Sequence, residues 1–176
     1  LNHSSVWCTI KDKQGNIWIG TYYGGVNWFN PQHEVYTWYL PSTTEGKGLS
    51  SAIVGCIRED KKGNLWVATE GGGLNFIDRK TGKTRWYTTK SCGLSSNNIQ
   101  SLYYEEDKDA IWVGTHLGGL NRLDIKSGRA KTYRFRKGHP NTLTHNIIKD
   151  ILPYKDSLIL ATHYGIYMFD KVRGQR

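Results

Sequence analysis

The sequence repeats one motif four times. The copies read GNIWIGTYYGGVNWFN from Gly15, GNLWVATEGGGLNFID from Gly63, DAIWVGTHLGGLNRLD from Asp109 and a diverged DSLILATHYGIYMFD from Asp156. The aligned threonines are 48, 46 and 47 residues apart, at positions Thr21, Thr69, Thr115 and Thr162. A period of roughly 40 to 50 residues is typical of β-propeller blades. We therefore expect each copy to form one blade.

Each copy contains four short runs of apolar and aromatic residues that are separated by turn residues. In the first copy these runs cover residues 6–10, 17–21, 26–29 and 35–39. Trp, Tyr, Ile, Val and Thr dominate the runs, and such side chains pack well on a pleated surface. No long segment has helical periodicity. The sequence therefore predicts an all-β fold, a β-propeller fragment built from four-stranded antiparallel blades.

The last copy ends where its fourth strand is expected to begin. Asp78 and Asp124 each lie six residues before a predicted fourth strand, and the equivalent Asp170 lies six residues before Arg176. We expect three complete blades and a fourth blade that lacks its outer strand, at about residues 1–42, 49–90, 94–137 and 143–176. An open sheet edge needs a partner or a cover, so we expect the remaining blades of a longer propeller to supply one.

Composition argues against several functional classes. The net charge is +9, but Lys and Arg are spread over turns and strand ends instead of forming a basic stripe. We therefore expect no nucleic-acid partner, whereas long-range attraction favours an acidic ligand. No apolar run is long enough to span a bilayer, and we expect no membrane contact by these residues.

The cysteines and the acidic turns predict no metal site and no cofactor. Cys8, Cys56 and Cys92 are an odd number without paired spacing, and we expect the two in first strands to be small buried hydrophobes. Asp12 and Asp60 lie in turns, where they can accept backbone N–H groups. Lys residues stand at several of the turn positions where a calcium-binding loop would have oxygen ligands.

Tryptophan recurs in one register of the second strand, at Trp18, Trp66 and Trp112. A large aromatic residue that repeats in this way is typical of a core position between blades, and we expect all three rings to be buried. Trp38 and Trp86, in outer strands, are expected to cover contacts between blades as well.

Two sets of loops should meet on one face of the propeller, because the loop before each innermost strand shares that face with the loop between strands two and three. The first set covers residues 2–5, 49–51, 95–98 and 144–146, and the second covers residues 22–23, 70–71, 116–117 and 163–164. Five of the six histidines lie in or beside these loops. This concentration makes the face a candidate binding surface.

Tyr and His rings together with Asn, Ser and Glu can stack on sugar faces and exchange hydrogen bonds with hydroxyl groups. The candidate ligand-binding residues are His3, Tyr22, Tyr23, Glu70, Asn98, His116, His145, His163 and Tyr164. The alternative is that Ser and Asn cap the strand starts and that the rings cover the sheet ends. No catalytic residue is assigned, because the His and Glu side chains come from different blades without the local spacing of a known motif.

Three stretches of the sequence carry a shared motif: L-x-x-x-x-V-W…D-x-x-G-N-I-W-I-G-T-Y-Y-G-G-V-N from Leu1, G-N-L-W-V-A-T-E-G-G-G-L-N from Gly63 and W-V-G-T-H-L-G-G-L-N from Trp112. This motif resembles the regulator-type propeller repeats of bacterial hybrid two-component sensors. The resemblance covers nearly the whole chain. The fourth copy departs from it at Ile159 and is one residue shorter in its Gly-rich loop.

The resemblance implies a periplasmic propeller that precedes an immunoglobulin-like connector, a membrane helix and a histidine kinase fused to a response regulator. Such sensors commonly detect products of complex-carbohydrate breakdown. The resemblance also implies an oligosaccharide ligand, acidic or neutral, a homodimer of the parent sensor, and no enzymatic activity within these residues. Two alternatives stay open: a scaffold for protein interactions, and a metal-dependent enzyme similar to propeller lyases that carry G-N-x-W repeats.

Overall fold

The computed structural model describes residues 1–176 and contains four antiparallel sheets, each formed by strands that are consecutive in the chain. Blade 1 comprises β1 (Val6–Lys11), β2 (Ile17–Thr21), β3 (Val26–Asn30) and β4 (Val35–Tyr39). Blade 2 comprises β5 (Val54–Glu59), β6 (Leu65–Thr69), β7 (Gly73–Ile77) and β8 (Thr84–Tyr87). Blade 3 comprises β9 (Ile99–Glu105), β10 (Ala110–Thr115), β11 (Leu120–Asp124) and β12 (Arg129–Tyr133). Blade 4 has three strands, β13 (Ile148–Tyr154), β14 (Ser157–Thr162) and β15 (Gly165–Asp170).

These sheets confirm the predicted all-β fold with three four-stranded blades and a three-stranded fourth. The one helical segment is a 3₁₀ turn, Glu106–Lys108, between β9 and β10. No helix has the length and apolar character that crossing a bilayer requires.

Successive blades pack face to face, with the innermost strands β1, β5, β9 and β13 side by side. Three clusters of buried side chains fill the spaces between neighbouring blades. We call these spaces the first seam (blades 1 and 2), the second seam (blades 2 and 3) and the third seam (blades 3 and 4). The hydrophobic core is thus divided into layers between sheets, as expected for a propeller.

One tryptophan ring lies in each seam, which confirms the predicted burial. Trp18 is 2% exposed, and Trp66 and Trp112 are fully buried. The prediction for Trp38 is wrong in this structure: it lies on the side of blade 1 that no other blade covers and is 54% exposed. Trp86 packs on the segment between blades 1 and 2, where its Nε1 donates a hydrogen bond to the Gly48 carbonyl oxygen at 2.9 Å.

The repeated Thr and Gly residues form a tight link between strands two and three of each blade. In blade 2, Thr69 Oγ1 donates to the Gly73 carbonyl oxygen at 2.7 Å, and the Gly73 N–H crosses the second seam to the Asn97 carbonyl oxygen at 2.9 Å. Gly73 has φ 82°, and a Cβ there would collide with the Tyr87 carbonyl oxygen. Glycine is therefore required here by both conformation and space.

A buried Asn in the third strand holds the loop that precedes each of the first three blades. Asn75 Oδ1 accepts from the Ser50 N–H at 2.8 Å, and Asn75 Nδ2 donates to Ser50 Oγ at 2.8 Å. Asn121 binds Ser95 in the same way, at 3.0 and 2.7 Å. These two serines are structural residues, as the alternative interpretation of the loops proposed.

At the opposite end of the blades, Asp12 links two blades. As predicted, its Oδ1 accepts from the backbone N–H groups of its own turn, those of Gln14 at 3.0 Å and Asn16 at 2.8 Å. Its Oδ2 accepts from Trp18 Nε1 at 2.9 Å and pairs with Arg79 of blade 2 at 2.9 Å. We call such an arrangement, a carboxylate that binds its own blade's Trp and a cation of the next blade, a clamp.

The third seam has a clamp of the same kind. Glu105 Oε2 accepts from Trp112 Nε1 at 3.0 Å, and Glu105 Oε1 pairs with Lys171 of blade 4 at 2.8 Å. Burial raises the pKa of both clamp carboxyls, but hydrogen bonds to their charged forms and the neighbouring cations outweigh burial and hold each pKa below its usual value.

Replacing Trp66 by alanine should destabilise the protein by about 3 to 5 kcal/mol, because it removes a large ring from a closed seam. The matched control is Trp38→Ala, on an uncovered surface, which should change stability by less than about 0.5 kcal/mol. Urea unfolding followed by circular dichroism measures both. Near-wild-type stability of Trp66→Ala would overturn the assignment of this ring to the core.

Asp12→Asn should cost about 2 kcal/mol at pH 7, because hydrogen bonds to a charged group contribute about 1.5–3 kcal/mol. The folded-state pKa of Asp12 is depressed. Its stabilisation is therefore present above the unfolded pKa of about 4 and is lost as the pH falls through the folded pKa. Urea unfolding at several pH values should show the two proteins converging in acid. The exposed Asp107→Asn variant should match wild type throughout, and a pH-independent deficit in Asp12→Asn would contradict the clamp.

Candidate functional site

Backbone hydrogen bonds bring the two predicted loop sets together on one face. The N–H group of Tyr22 donates to the Ser5 carbonyl oxygen, that of Glu70 to Ile53, and that of His116 to Asn98, at 3.0, 3.0 and 2.9 Å. In blade 4, Ile148 pairs with Thr162, so His163 follows at the same end. All nine candidate residues consequently lie on this face, which we call the loop face.

A pocket of about 370 Å³ opens near the centre of the loop face. It is lined by Trp7, Gly55, Glu70, Asn98, Ile99, Gln100, His116 and Lys149. Four of these, Trp7, Gly55, Gln100 and Lys149, are the second residues of the four innermost strands. The pocket therefore touches all four blades where they come closest together.

The walls of the pocket offer both hydrogen-bond donors and acceptors. Gln100 Oε1 is buried without a hydrogen-bond partner. The carboxylate of Glu70 and the ammonium group of Lys149 form no ion pair with each other or with any other residue of the chain. A buried acceptor without a partner is costly, and rotation of the Gln100 side chain, which lines the pocket, would bring this oxygen within reach of a donor group on a ligand.

Asn98 has a different role from the other pocket residues. Its Oδ1 accepts from the Gly71 N–H of blade 2 at 2.7 Å, across the second seam. The carbonyl end of the Asn98 amide therefore fixes the loop that carries Glu70, and the Asn98 Nδ2 group forms no hydrogen bond within the chain.

An aromatic cluster borders the pocket on the side of blade 1. Trp7 and Tyr22 are stacked with ring centroids 5.0 Å apart, Tyr22 meets Tyr23 edge-on at 4.4 Å, and His3 lies 6.3 Å from Tyr23. Tyr23, and more weakly burial and Glu70, raise the pKa of Tyr22. The Tyr22 hydroxyl therefore stays protonated. Together these residues form the blade 1 aromatic cluster (His3, Trp7, Tyr22 and Tyr23).

A second group of rings, the blade 4 aromatic cluster (His145, His163 and Tyr164), borders the other side of the loop face. The Tyr164 ring is 4.8 Å from His145 and 5.5 Å from His163. Tyr164 is 73% exposed. His145 Nδ1 accepts from the Ile147 N–H at 3.1 Å, as His3 Nδ1 does from Ser5. The neutral forms of both rings therefore carry their hydrogen on Nε2, which can donate to a ligand.

Five pocket residues, Trp7, Gly55, Ile99, Gln100 and Lys149, were not among the predicted site residues, and all but Ile99 are the second residue of an innermost strand. The signal available in the sequence is variation: this position of the innermost strand holds four different residues in the four copies, whereas core positions repeat. A position that the blade packing does not use faces the axis instead.

The structure brings no group of three or more His, Cys, Asp or Glu side chains close enough to hold a metal ion. The three cysteines are free thiols, with Cys56 and Cys92 buried and Cys8 half-buried. This fits the prediction that cysteines in the first strands act as small hydrophobic residues.

The family model of the two-component regulator propeller matches residues 1–23 and 48–71. The two segments make up 47 of the chain's 176 residues, and the match shows the repeat family for these parts of the chain. Each segment covers the loop before a blade and the first two strands of that blade, and the match confirms the motif resemblance noted in the sequence. No curated protein sequence matches the chain.

Two known structures are similar to this chain in fold. The extracellular domain of BT4673 from B. thetaiotaomicron, described as a one-component system, has a TM-score of 0.78 and 24% identity. The extracellular domain of the hybrid two-component system BT3049 from the same organism has a TM-score of 0.74 and 26% identity. Each comparison covers 96% of this chain and 22% of the other. The chain thus spans about a fifth of the length of these two structures.

An enzyme shares the fold at a greater distance. Virginiamycin B lyase from Staphylococcus aureus, in an inactive variant with quinupristin, has a TM-score of 0.60 and 16% identity over 94% of this chain and 55% of its own. This similarity shows the propeller fold alone.

Proposed function

We propose that this chain is part of the ligand-sensing region of a hybrid two-component sensor, located in the periplasm and anchored in the inner membrane, and that its loop face binds an oligosaccharide without converting it. The main observation is the central pocket, which joins all four blades and combines the Trp7 ring with unpaired polar groups. The extracellular location of the BT4673 and BT3049 domains supports the placement.

The chemistry of the loop face fits a sugar better than most other ligands. A pyranose has an apolar face that stacks on flat rings and hydroxyl groups that both donate and accept hydrogen bonds. Trp7 and Tyr22 supply the flat surface, and Glu70, Gln100 and Lys149 supply acceptors and a donor. The volume lies within the range of about 300–1,000 Å³ that is usual for small-ligand pockets.

The two aromatic clusters favour an oligosaccharide over a monosaccharide. The central pocket is bordered by Tyr23 on the side of blade 1, and Tyr164 lies on blade 4, so stacking surfaces are available on both sides. A chain of several sugars can occupy the pocket and both clusters. The net charge of +9 further favours acidic sugars through long-range attraction.

A protein-binding scaffold is the second candidate function. Leu117, next to His116, is 64% exposed on the loop face, and exposed apolar anchors of this kind are typical of protein contacts. Tyr23 and Tyr164 are exposed as well. A protein ligand would use these three side chains and would not need the pocket.

Calorimetric titration with xylohexaose, cellohexaose, maltohexaose and hexagalacturonic acid tests the proposal. We expect one of these probes to bind, and Trp7→Ala, Tyr22→Ala, His116→Ala and His163→Ala each to weaken its binding at least tenfold without loss of folding, because each variant removes a stacking surface or a polar partner. The matched control is His33→Ala, which changes the one histidine that lies neither in nor beside these loops and should bind like wild type.

Two results would contradict the assignment. Binding that survives all four substitutions would show that another face holds the sugar. Absence of binding to every probe, together with a protein partner whose affinity depends on Leu117 and Tyr164, would establish the scaffold function instead.

A further inference from the structure

The three seams differ at the end opposite the loop face. Blades 2, 3 and 4 each have an Asp at or just after the end of the third strand, and the residue directly after this Asp differs between them. It is Arg79 in blade 2, Ile125 in blade 3 and Lys171 in blade 4. Arg79 and Lys171 complete the clamps of the first and third seams. Ile125 packs instead against the apolar cluster of the second seam. The second seam therefore has no clamp.

The residues that would form the clamp are present in blade 2 but are not joined. Asp60 accepts only from its own turn, from the N–H groups of Lys62 at 2.8 Å and Asn64 at 2.9 Å and from Asn64 Nδ2 at 3.3 Å. Trp66 Nε1 is buried without a partner, whereas Trp18 and Trp112 both donate to a carboxylate. The Trp66 ring contacts Phe76 at 4.9 Å instead of a cation.

Apolar packing therefore holds blades 2 and 3 together at the end of the second seam opposite the loop face. The charged contact between blades 2 and 3 at this end is the Lys61–Asp109 pair at 3.5 Å, and both side chains are more than one-third exposed. Exposed pairs contribute little to stability. Apolar contacts are non-directional, so the blades can shift slightly at this end with few directed bonds to break. The hydrogen bonds that do cross the second seam, from Gly73 N–H to the Asn97 carbonyl oxygen and from Gly71 N–H to Asn98 Oδ1, lie at the loop face. Small sliding motions between packed elements are a common form of conformational change.

The ligand pocket lies at the loop-face end of the second seam. Glu70 comes from blade 2, and Asn98 and His116 come from blade 3. The hydrogen bond from the Gly71 N–H to Asn98 Oδ1 crosses the seam, and the positions equivalent to Asn98 before β5 and β13 are Ile53 and Ile147, which have no side-chain acceptor. A ligand that touches Glu70 and His116 necessarily contacts both blades.

We propose that the second seam is the element through which the pocket is regulated: a ligand that bridges Glu70 and His116 fixes the position of blade 2 relative to blade 3, and Asn98 is the positioning residue that couples the pocket to the seam. This rests on the proposed function, because the ligand is the one that the pocket binds. The clamped first and third seams keep their geometry, so the response is confined to one boundary between blades.

Native thiols report on the seams separately. Cys56 is buried in the cluster of the second seam, and Cys8, in the same register of β1, packs against the cluster of the first seam. Burial raises the pKa of Cys56 to about 12 and that of Cys8 to about 11. Because the thiolate is the reactive form, each thiol is alkylated mainly when its seam opens.

Alkylation by iodoacetamide, followed by mass spectrometry of the protein without ligand, tests the coupling. Asn98→Ala removes the hydrogen bond at the pocket and should raise the Cys56 rate about tenfold, while the Cys8 rate stays within twofold. Ile125→Arg should lower the Cys56 rate, because it copies the Asp12–Arg79 clamp onto Asp60. The double variant should lose most of the effect of Asn98→Ala.

Two controls make the result specific. Ile125→Met keeps a long side chain without charge and should leave the Cys56 rate near wild type. Arg79→Ile breaks the clamp of the first seam and should raise the Cys8 rate without changing Cys56. If Ile125→Arg fails to fold, the opposite selectivity of Asn98→Ala and Arg79→Ile still decides the question.

The proposal is overturned if Asn98→Ala leaves the Cys56 rate unchanged or raises the Cys8 rate equally. It is also overturned if the probe sugar found by calorimetry fails to slow Cys56 alkylation by at least threefold in wild type. The variant rates are measured without ligand. Failure of every sugar to bind would therefore refute the proposed function and the ligand's part in the regulation. The coupling of Asn98 to the second seam would still be tested by the alkylation rates of Cys56 and Cys8 in the variants.

Discussion

The packing of one sheet face against the next is the constraint on which the rest of this structure depends. A four-stranded blade has two faces and cannot bury either of them alone, so its stability comes from neighbouring blades. One tryptophan in each seam, Trp18, Trp66 or Trp112, supplies the largest buried ring. The glycine-rich links let the backbones approach closely enough for these rings to be enclosed.

Much of the fold follows from the sequence because local chemistry and the repeat agree. The turn containing Asp12 and Gly15 forms as its residues predict, and the repeated tryptophans are buried. The error at Trp38 has a physical cause: a residue that repeats can be buried only where a neighbouring blade exists to cover it. Burial in an outer strand is thus a property of the pair of blades and not of the repeat alone.

The site and the clamps are harder to predict, because they join residues of different copies. The sequence placed His116 and Glu70 on one face, since the position of each loop in its blade fixes the end at which it lies. It did not find Trp7 or Lys149, because recognising them requires knowing which side of an innermost strand faces the axis. The Asp12–Arg79 pair depends on the offset between two sheets, and no periodicity within either copy specifies that offset.

The repeat also explains why the binding chemistry is found where it is. Positions that hold the blades together cannot differ much between copies: the tryptophan fills a seam, the threonine closes a hairpin, and the glycine admits a carbonyl group. The positions that remain free are the second residue of the innermost strand and the residue after the threonine. The second residues of the innermost strands are Trp7, Gly55, Gln100 and Lys149, and the residues after the threonine are Tyr22, Glu70, His116 and His163. Six of these eight residues line the pocket. Specificity can therefore change at the loop face without loss of packing, whereas a change at a clamp position, such as Ile125, alters how firmly two blades are held together.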